Sequence, residues 1–191
     1  MRVIGGSARG VPLVAPEGRD TRPTSDRVRE ALFMALGSLE GTRVVDLYSG
    51  SGALAIEALS RGAEWADLVD SDRRAREAIV RNLTELSLTE RARLWPLRLP
   101  AGLARLGEAL AAAQVVFADP PYGGTDARAV LTGLGKPGVL QPSTRVVLET
   151  HAKDIVPQQE GCLVRERERQ YGETVVHVYR VGPEPAAGED A

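Results

Sequence analysis

Strand-like and helix-like segments alternate from residue 43 to residue 150, and that rhythm leaves few architectures open to the chain. Strands are expected at 43–48, 66–70, 92–97, 114–118 and 144–150, with helices at 52–61, 73–86, 101–113 and 126–134 between them. Repetition of this kind gives parallel strands joined by crossover helices. The predicted fold is therefore α/β, a doubly wound, mostly parallel, seven-stranded sheet. The rhythm then breaks: residues 163–171 and 173–181 read as two strands joined at Gly172, an antiparallel hairpin at the sheet edge. In the first of them a two-residue period sets Arg165, Arg167 and Arg169 on one face, which suits either a nucleic-acid contact or, the favoured reading, a solvated edge whose charges oppose pairing with another sheet.

Ahead of the sheet, residues 2–4 and 11–14 look like two short strands around the glycine-rich stretch from Gly5 to Gly10. Such a hairpin would lie outside the main fold and let a polyanion approach its backbone. A helix follows with Thr24 or Ser25 as N-cap and with Val28, Ala31, Leu32, Ala35 and Leu36 on one face, which leaves Arg27 and Glu30 off it. A length of 191 residues suits one well-cored domain with a small addition. The expected organisation is a hairpin extension at 1–20, the main domain at 21–182 and a disordered tail at 183–191.

No apolar run reaches the length of a membrane span, and the first residues lack a signal-peptide core, so a soluble cytoplasmic protein is expected. Cys162 is the single cysteine, which excludes an internal disulfide and a cysteine-rich metal cluster. With His151 and His177 the only histidines, a zinc site or a Ser-His-Asp triad is disfavoured, and no metal is expected. The net charge of −2 hides an asymmetry: residues 1–30 hold six arginines against four acids, and the excess of acid lies in the remainder. Arginine pairs in a planar fork with phosphate, so the N-terminal end is the candidate nucleic-acid surface. Against this, 22 of the 24 basic residues are arginine and Asn82 is the only asparagine, which a genomic bias or a thermophilic origin explains equally well.

Two motifs carry chemistry. In Asp119-Pro120-Pro121-Tyr122, directly after an apolar strand, two prolines fix an extended loop with free carbonyls, flanked by an acid and an aromatic ring. Asp119 and an intervening carbonyl can accept the protons of a planar amine while Tyr122 stacks on its ring. The bland alternative is a pair of prolines that merely stops a strand. Upstream, the segment from Arg43 to Gly52 runs from a strand into a glycine turn and a helix, as a nucleotide-cofactor loop does. With Ala55 it fits the G-x-G-x-x-A dinucleotide pattern, so a nicotinamide enzyme stays in view. Asp46 instead suits an ammonium-bearing ligand such as S-adenosylmethionine, while Asp70, at the end of the next strand, suits a ribose in either case.

Taken in order, Asp46-x-x-x-Gly50-x-Gly52, Asp70 and Asp119-Pro-Pro-Tyr resemble the class I S-adenosylmethionine-dependent methyltransferases that act on exocyclic amines. The terminal hairpin agrees, because dehydrogenase sheets usually continue in parallel. The stretches Arg2-Val-Ile-Gly-Gly, Arg22-Pro-Thr-Ser-Asp-Arg-Val-Arg-Glu-Ala-Leu-Phe and Asp46 to Gly62 look like the RsmD family, which methylates guanine N2 in small-subunit ribosomal RNA. The resemblance runs from about residue 2 to residue 181. It implies a Rossmann-like methyltransferase domain, S-adenosylmethionine as cofactor, and ribosomal RNA as partner, free or within an assembling small subunit, met by a monomer. It places Asp46, Tyr48, Gly50, Ser51, Gly52, Asp70 and Ser71 at the cofactor and Asp119, Pro120, Pro121 and Tyr122 at the reacting amine. Arg9, Arg22, Thr24 and Arg27 are the RNA candidates, although Thr24 and Arg27 can equally reach the cofactor carboxylate. Trp95-Pro-Leu-Arg98 departs from the family where an Asn or Asp usually meets the adenine. Rival readings are an amine methyltransferase acting on DNA adenine N6 or protein glutamine, a nicotinamide-dependent oxidoreductase, and a non-catalytic nucleotide-binding module.

Overall fold

A computed structural model describes residues 1–16 and 26–182 of the chain. It divides into two compact units at Leu99 and Pro100. The first contains helix α1 (Asp26–Leu36), strand β1 (Arg43–Leu47), α2 (Ala53–Ser60), β2 (Trp65–Val69), α3 (Arg73–Glu85) and β3 (Ala92–Trp95). Its strands are parallel in the order β3-β2-β1, with Val45 opposite Asp67 and Asp67 opposite Arg93. Val44, Val45, Leu47, Ala66, Leu68 and Val69 are buried, as expected of strands covered on both faces. The strand ends are tied by polar side chains: Asp67, itself buried, accepts from the indole Nε1 of Trp65 at 2.9 Å and from that of Trp95 at 2.7 Å.

The second unit begins with a 3-10 turn (Leu103–Leu106) and continues through α4 (Gly107–Ala112), β4 (Val115–Ala118), α5 (Asp126–Leu134), β5 (Arg145–His151), β6 (Gln159–Glu160), β7 (Leu163–Tyr171) and β8 (Thr174–Val181). Strands β4 and β5 are parallel, while β5–β8, β8–β7 and β7–β6 are antiparallel. The predicted mixed sheet with a terminal hairpin is thus present. Eight strands stand among the described residues rather than seven, because Gln159 and Glu160 turn at Gly161 and pair with Val164 and Leu163, too short a strand to leave a periodic signal. The single helix expected at 101–113 is a 3-10 turn followed by a six-residue helix, with Gly102 and Gly107 weakening its first half.

Three further expectations are corrected. The arginines of β7 do not share a face: Arg165 is opposite Tyr179 and Arg167 opposite Val178, so a bulge at Glu166 inverts the pattern. Arg165 turns toward Glu168 at 2.8 Å, and Arg167 and Arg169 occupy the other side. On α1 the buried face is Val28, Arg29, Leu32, Phe33 and Leu36, with Ala35 exposed, because Phe33 offers far more apolar surface than an alanine. The N-cap expected at Thr24 or Ser25 lies outside the described residues, as does the tail at 183–191.

The third correction concerns the N-terminus. Its two expected strands reduce to one antiparallel bridge, Arg2 to Pro12, and the segment is packed on α2 rather than standing apart. Glu57, wholly buried in an otherwise apolar helix, accepts from the amides of Ile4 at 2.7 Å and Gly5 at 2.8 Å and from Arg61 Nε at 2.7 Å. Ser60 adds four bonds, accepting from Ser7 N and the Ser7 hydroxyl on its carbonyl and from Ala8 N on its hydroxyl, and donating to the Gly5 carbonyl. A Cβ on Gly6 would stand 1.8 Å from the Ser60 carbonyl oxygen. Gly5 and Gly6 therefore let α2 and Arg61 approach the backbone, while a Cβ on Gly10 would meet nothing within 4 Å.

Candidate functional site

At the end of β1 the chain makes a tight turn whose backbone is organised by two carboxylates. Tyr48 takes a left-handed φ of 61°, uncommon for an aromatic residue, and Gly50 and Gly52 follow at 57° and 77°. Their glycine character has two separate reasons. A Cβ on Gly52 would lie 2.9 Å from Leu68 Cδ2, so that residue lets α2 sit tightly against the sheet. At Gly50 the nearest atom to such a Cβ is the Tyr48 carbonyl oxygen at 4.0 Å, which leaves open space above the turn. Ser49 fixes the loop to β2, accepting from Val69 N at 2.9 Å on its hydroxyl and donating from its amide to Val69 O.

Asp70 accepts from Gly50 N at 2.9 Å and from Asp72 N at 2.8 Å, one bond on each oxygen. Asp46 is buried on the floor of the turn and accepts from Ala55 N at 3.2 Å, in the first turn of α2. Burial raises its pKa to about 7; the Ala55 amide works against that rise and the charge of Asp70 adds to it. Asp46, Gly50, Ser51, Gly52 and Asp70 thus come together around one turn. The Ser51 hydroxyl, however, points to the Met1 sulfur at 3.8 Å, and Ser71 is exposed, with its carbonyl accepting from Arg76. The residues fit an ammonium-bearing nucleoside: a buried carboxylate to oppose the cation, an acid of the second strand for the ribose, and room over Gly50.

A pH effect follows. The Asp46 carboxyl titrates near 3.8 in an unfolded chain and near 7 in the folded one, so between those values the folded state binds more protons. Stability of the ligand-free protein falls as pH rises through that window and levels off above it. The melting temperature of the wild type relative to Asp46→Asn is expected to drop between pH 4 and pH 7. A difference that rises with pH would mean an already ionised Asp46.

Sequence reasoning missed the clamp behind this turn. Asn82, buried on α3, accepts from Val14 N at 2.8 Å and donates to Val14 O at 3.0 Å and Ser51 O at 2.9 Å. It joins the N-terminal segment to the glycine turn. Its signal was an amide on the inner face of an amphipathic helix, as Glu57 was a charge inside ALAIEALS.

In the second unit, β4 delivers Asp119 half-buried, Pro120 buried and Pro121 exposed, and the loop then carries Tyr122 toward α5. The Tyr122 hydroxyl donates to Glu149 Oε1 on β5 at 3.0 Å and shares a side-chain hydrogen bond with Thr174. Its ring stands 5.6 Å from that of His151 at an interplanar angle of 63°. Burial first and the Glu149 charge second raise the phenol pKa, so it stays protonated and donating. Of the remaining candidates, Arg9 and Arg27 are exposed, and Arg22 and Thr24 lie outside the described residues.

The chain is similar to known proteins along most of its length. YlbH of Bacillus subtilis is 37% identical over 181 residues, covering 94% of this chain and 98% of its own. Ribosomal RNA small subunit methyltransferase D of Escherichia coli K12 is 32% identical over 181 residues, covering 94% and 89%. The solved structure of yhhF from Escherichia coli superposes with a TM-score of 0.81 at 32% identity, covering 95% of this chain and 98% of that one. A glycine turn between two acids after the first strand, an Asp-Pro-Pro-Tyr loop and a mixed sheet closed by an antiparallel hairpin define a class I methyltransferase. The family model described as "Conserved hypothetical protein 95" matches residues 1–180, and the chain belongs to that family, the RsmD family.

Proposed function

We propose that this chain transfers a methyl group from S-adenosylmethionine to the exocyclic N2 amine of a guanine in small-subunit ribosomal RNA, acting as a monomer in the cytoplasm. The observation that carries the reading is the match along nearly the whole chain to the Escherichia coli ribosomal RNA small subunit methyltransferase D, with the Asp46–Gly50–Asp70 turn as its physical counterpart. Asp46, Tyr48, Gly50, Ser51, Gly52, Asp70 and Ser71 are the residues that would hold the cofactor, which supplies an electrophilic methyl on a sulfonium centre. The guanine amine is a weak nucleophile because its lone pair is delocalised into the ring. Asp119 and the Pro120 carbonyl accept hydrogen bonds from its two N–H groups and favour the pyramidal form in which that pair is released; as the N–C bond forms and the S–C bond breaks, one proton leaves by way of Asp119 to water. Tyr122 stacks on the extruded base, and Pro121 keeps the loop extended. A strong base is unnecessary, since the amine becomes acidic as the new bond forms.

The decisive experiment incubates the protein with labelled S-adenosylmethionine and unmodified small subunits, followed by mass spectrometry of the nucleosides. N2-methylguanosine is expected; N6-methyladenosine, or no transfer, would overturn the reading. Arg9, Arg22, Thr24 and Arg27 form the proposed RNA surface, with residues 1–20 as its extension beside the catalytic domain at 21–182. Deleting that extension would strand the buried Glu57 carboxylate, so a point change is the cleaner test. Arg9→Glu is expected to raise KM for the subunit about tenfold and to flatten its salt dependence, with cofactor affinity unchanged. An unaltered KM would remove the segment from the RNA surface.

A further inference from the structure

The Asp-Pro-Pro-Tyr loop is tied to the strand beside it through one side chain that the motif does not contain. Glu149 lies on β5 with only 6% of its surface exposed, and its carboxylate accepts from the Tyr122 hydroxyl at 3.0 Å. Thr174, at the start of β8, reaches the same hydroxyl, and its strand register sets it opposite His151, whose ring meets the Tyr122 ring. The tyrosine is thus held from both strands of the β5–β8 pair. Its side chain nevertheless remains 45% exposed, among the few large hydrophobic side chains that are open to solvent in the described residues. A tyrosine whose only purpose was packing would bury its ring and leave its hydroxyl wet. Here the polar end is anchored against a buried carboxylate while much of the ring is left to solvent.

Burying a carboxylate is costly unless its bonds are well formed, so a structural strand would be better served by an apolar residue at this position. The geometry points to Glu149 as a positioning residue that holds the Tyr122 ring ready for a nucleobase. It acts through the phenol hydroxyl and does not touch the base. This inference rests on the base-methylating role given to Tyr122 above. An aromatic platform fixed before the base arrives loses little rotamer freedom on stacking, which strengthens substrate binding without altering the transfer step.

The test is a double-mutant cycle of Tyr122→Phe and Glu149→Ala, with Glu149→Gln as the conservative variant, assayed on unmodified small subunits. Tyr122→Phe keeps the ring and lies at an exposed position, so it folds whatever Glu149→Ala does to the strand. Each single change is expected to raise KM for the subunit roughly fivefold to tenfold with kcat within about twofold and affinity for S-adenosylhomocysteine unchanged. The double variant should be no worse than either single, and Glu149→Gln, which retains an acceptor, should recover most of the loss. Additive effects, a loss confined to kcat, or failure of glutamine to restore a folded Glu149→Ala protein would overturn the assignment and leave the catalytic reading standing. A wild type that binds S-adenosylhomocysteine and yet methylates no base would overturn both.

Discussion

Replacing Asp119 with alanine is expected to lower turnover by about 10³-fold while leaving affinity for S-adenosylhomocysteine within about twofold. The magnitude follows from the role: an acceptor that acts on the amine as it pyramidalises is worth more in the transition state than in the ground state, so its loss appears in kcat. The insensitivity of cofactor affinity follows from what shapes the proposed cofactor turn: Asp70 accepts from the amides of Gly50 and Asp72, and Asp46 from that of Ala55. Single-turnover methylation of small subunits and isothermal titration with S-adenosylhomocysteine give the two readouts. Activity within tenfold of the wild type would remove Asp119 from the reacting centre; a large drop in cofactor affinity would reassign it to the cofactor. Asp119→Asn separates charge from hydrogen bonding, since the amide oxygen can still accept one proton.

The second large effect concerns stability. Glu57→Ala removes the acceptor for two backbone amides and for Arg61 at the junction of α2 and the N-terminal segment, all through a carboxylate with no exposed surface. Orphaned donors at such a site, with the cavity left behind, cost about 3–5 kcal/mol. For a chain of this size that corresponds to a melting temperature lower by roughly 10 °C. Circular dichroism melts test the size of the effect, and proteolysis of the N-terminal segment tests its location. Glu57→Gln should retain one amide bond and lose less. A melting temperature within about 2 °C of the wild type for Glu57→Ala would mean that water replaces the carboxylate and that the bonds from Ser60, Asn82 and Arg29 suffice to hold the segment.

Much of this molecule was legible before its structure. Strands β1, β2, β4 and β5 declared themselves because each is a run of buried residues adjacent in the chain to a helical segment, and the glycine turn because Gly50 and Gly52 follow a strand that carries an acid. What stayed hidden depends on contacts distant in sequence or on one inserted residue. Periodicity cannot register that Glu57 and Asn82 are spent on backbone groups of residues 4, 5 and 14, because the pattern of α2 and α3 is the same with or without that partner. Nor can it place a bulge: Arg165 to Arg169 alternate without fault, and only the register against Tyr179 and Val178 shows that the sides change over at Glu166. In the Asp-Pro-Pro-Tyr loop the sequence supplied the residues proposed to face a substrate. The buried Glu149 behind Tyr122 sat unmarked in a strand of valines and leucine.

The Asn82 clamp bears on how the polypeptide emerges during synthesis. Val14 meets its partner 68 positions later, and Ser51 waits 31 positions for the same amide. Val14 therefore has no partner amide until α3 has left the exit tunnel, whereas α1 and α2, which bond residues 2, 4, 5, 7 and 8, are made earlier. A nascent chain halted before Asn82 would lack the link from Val14 to Ser51, which closes only as the third helix docks.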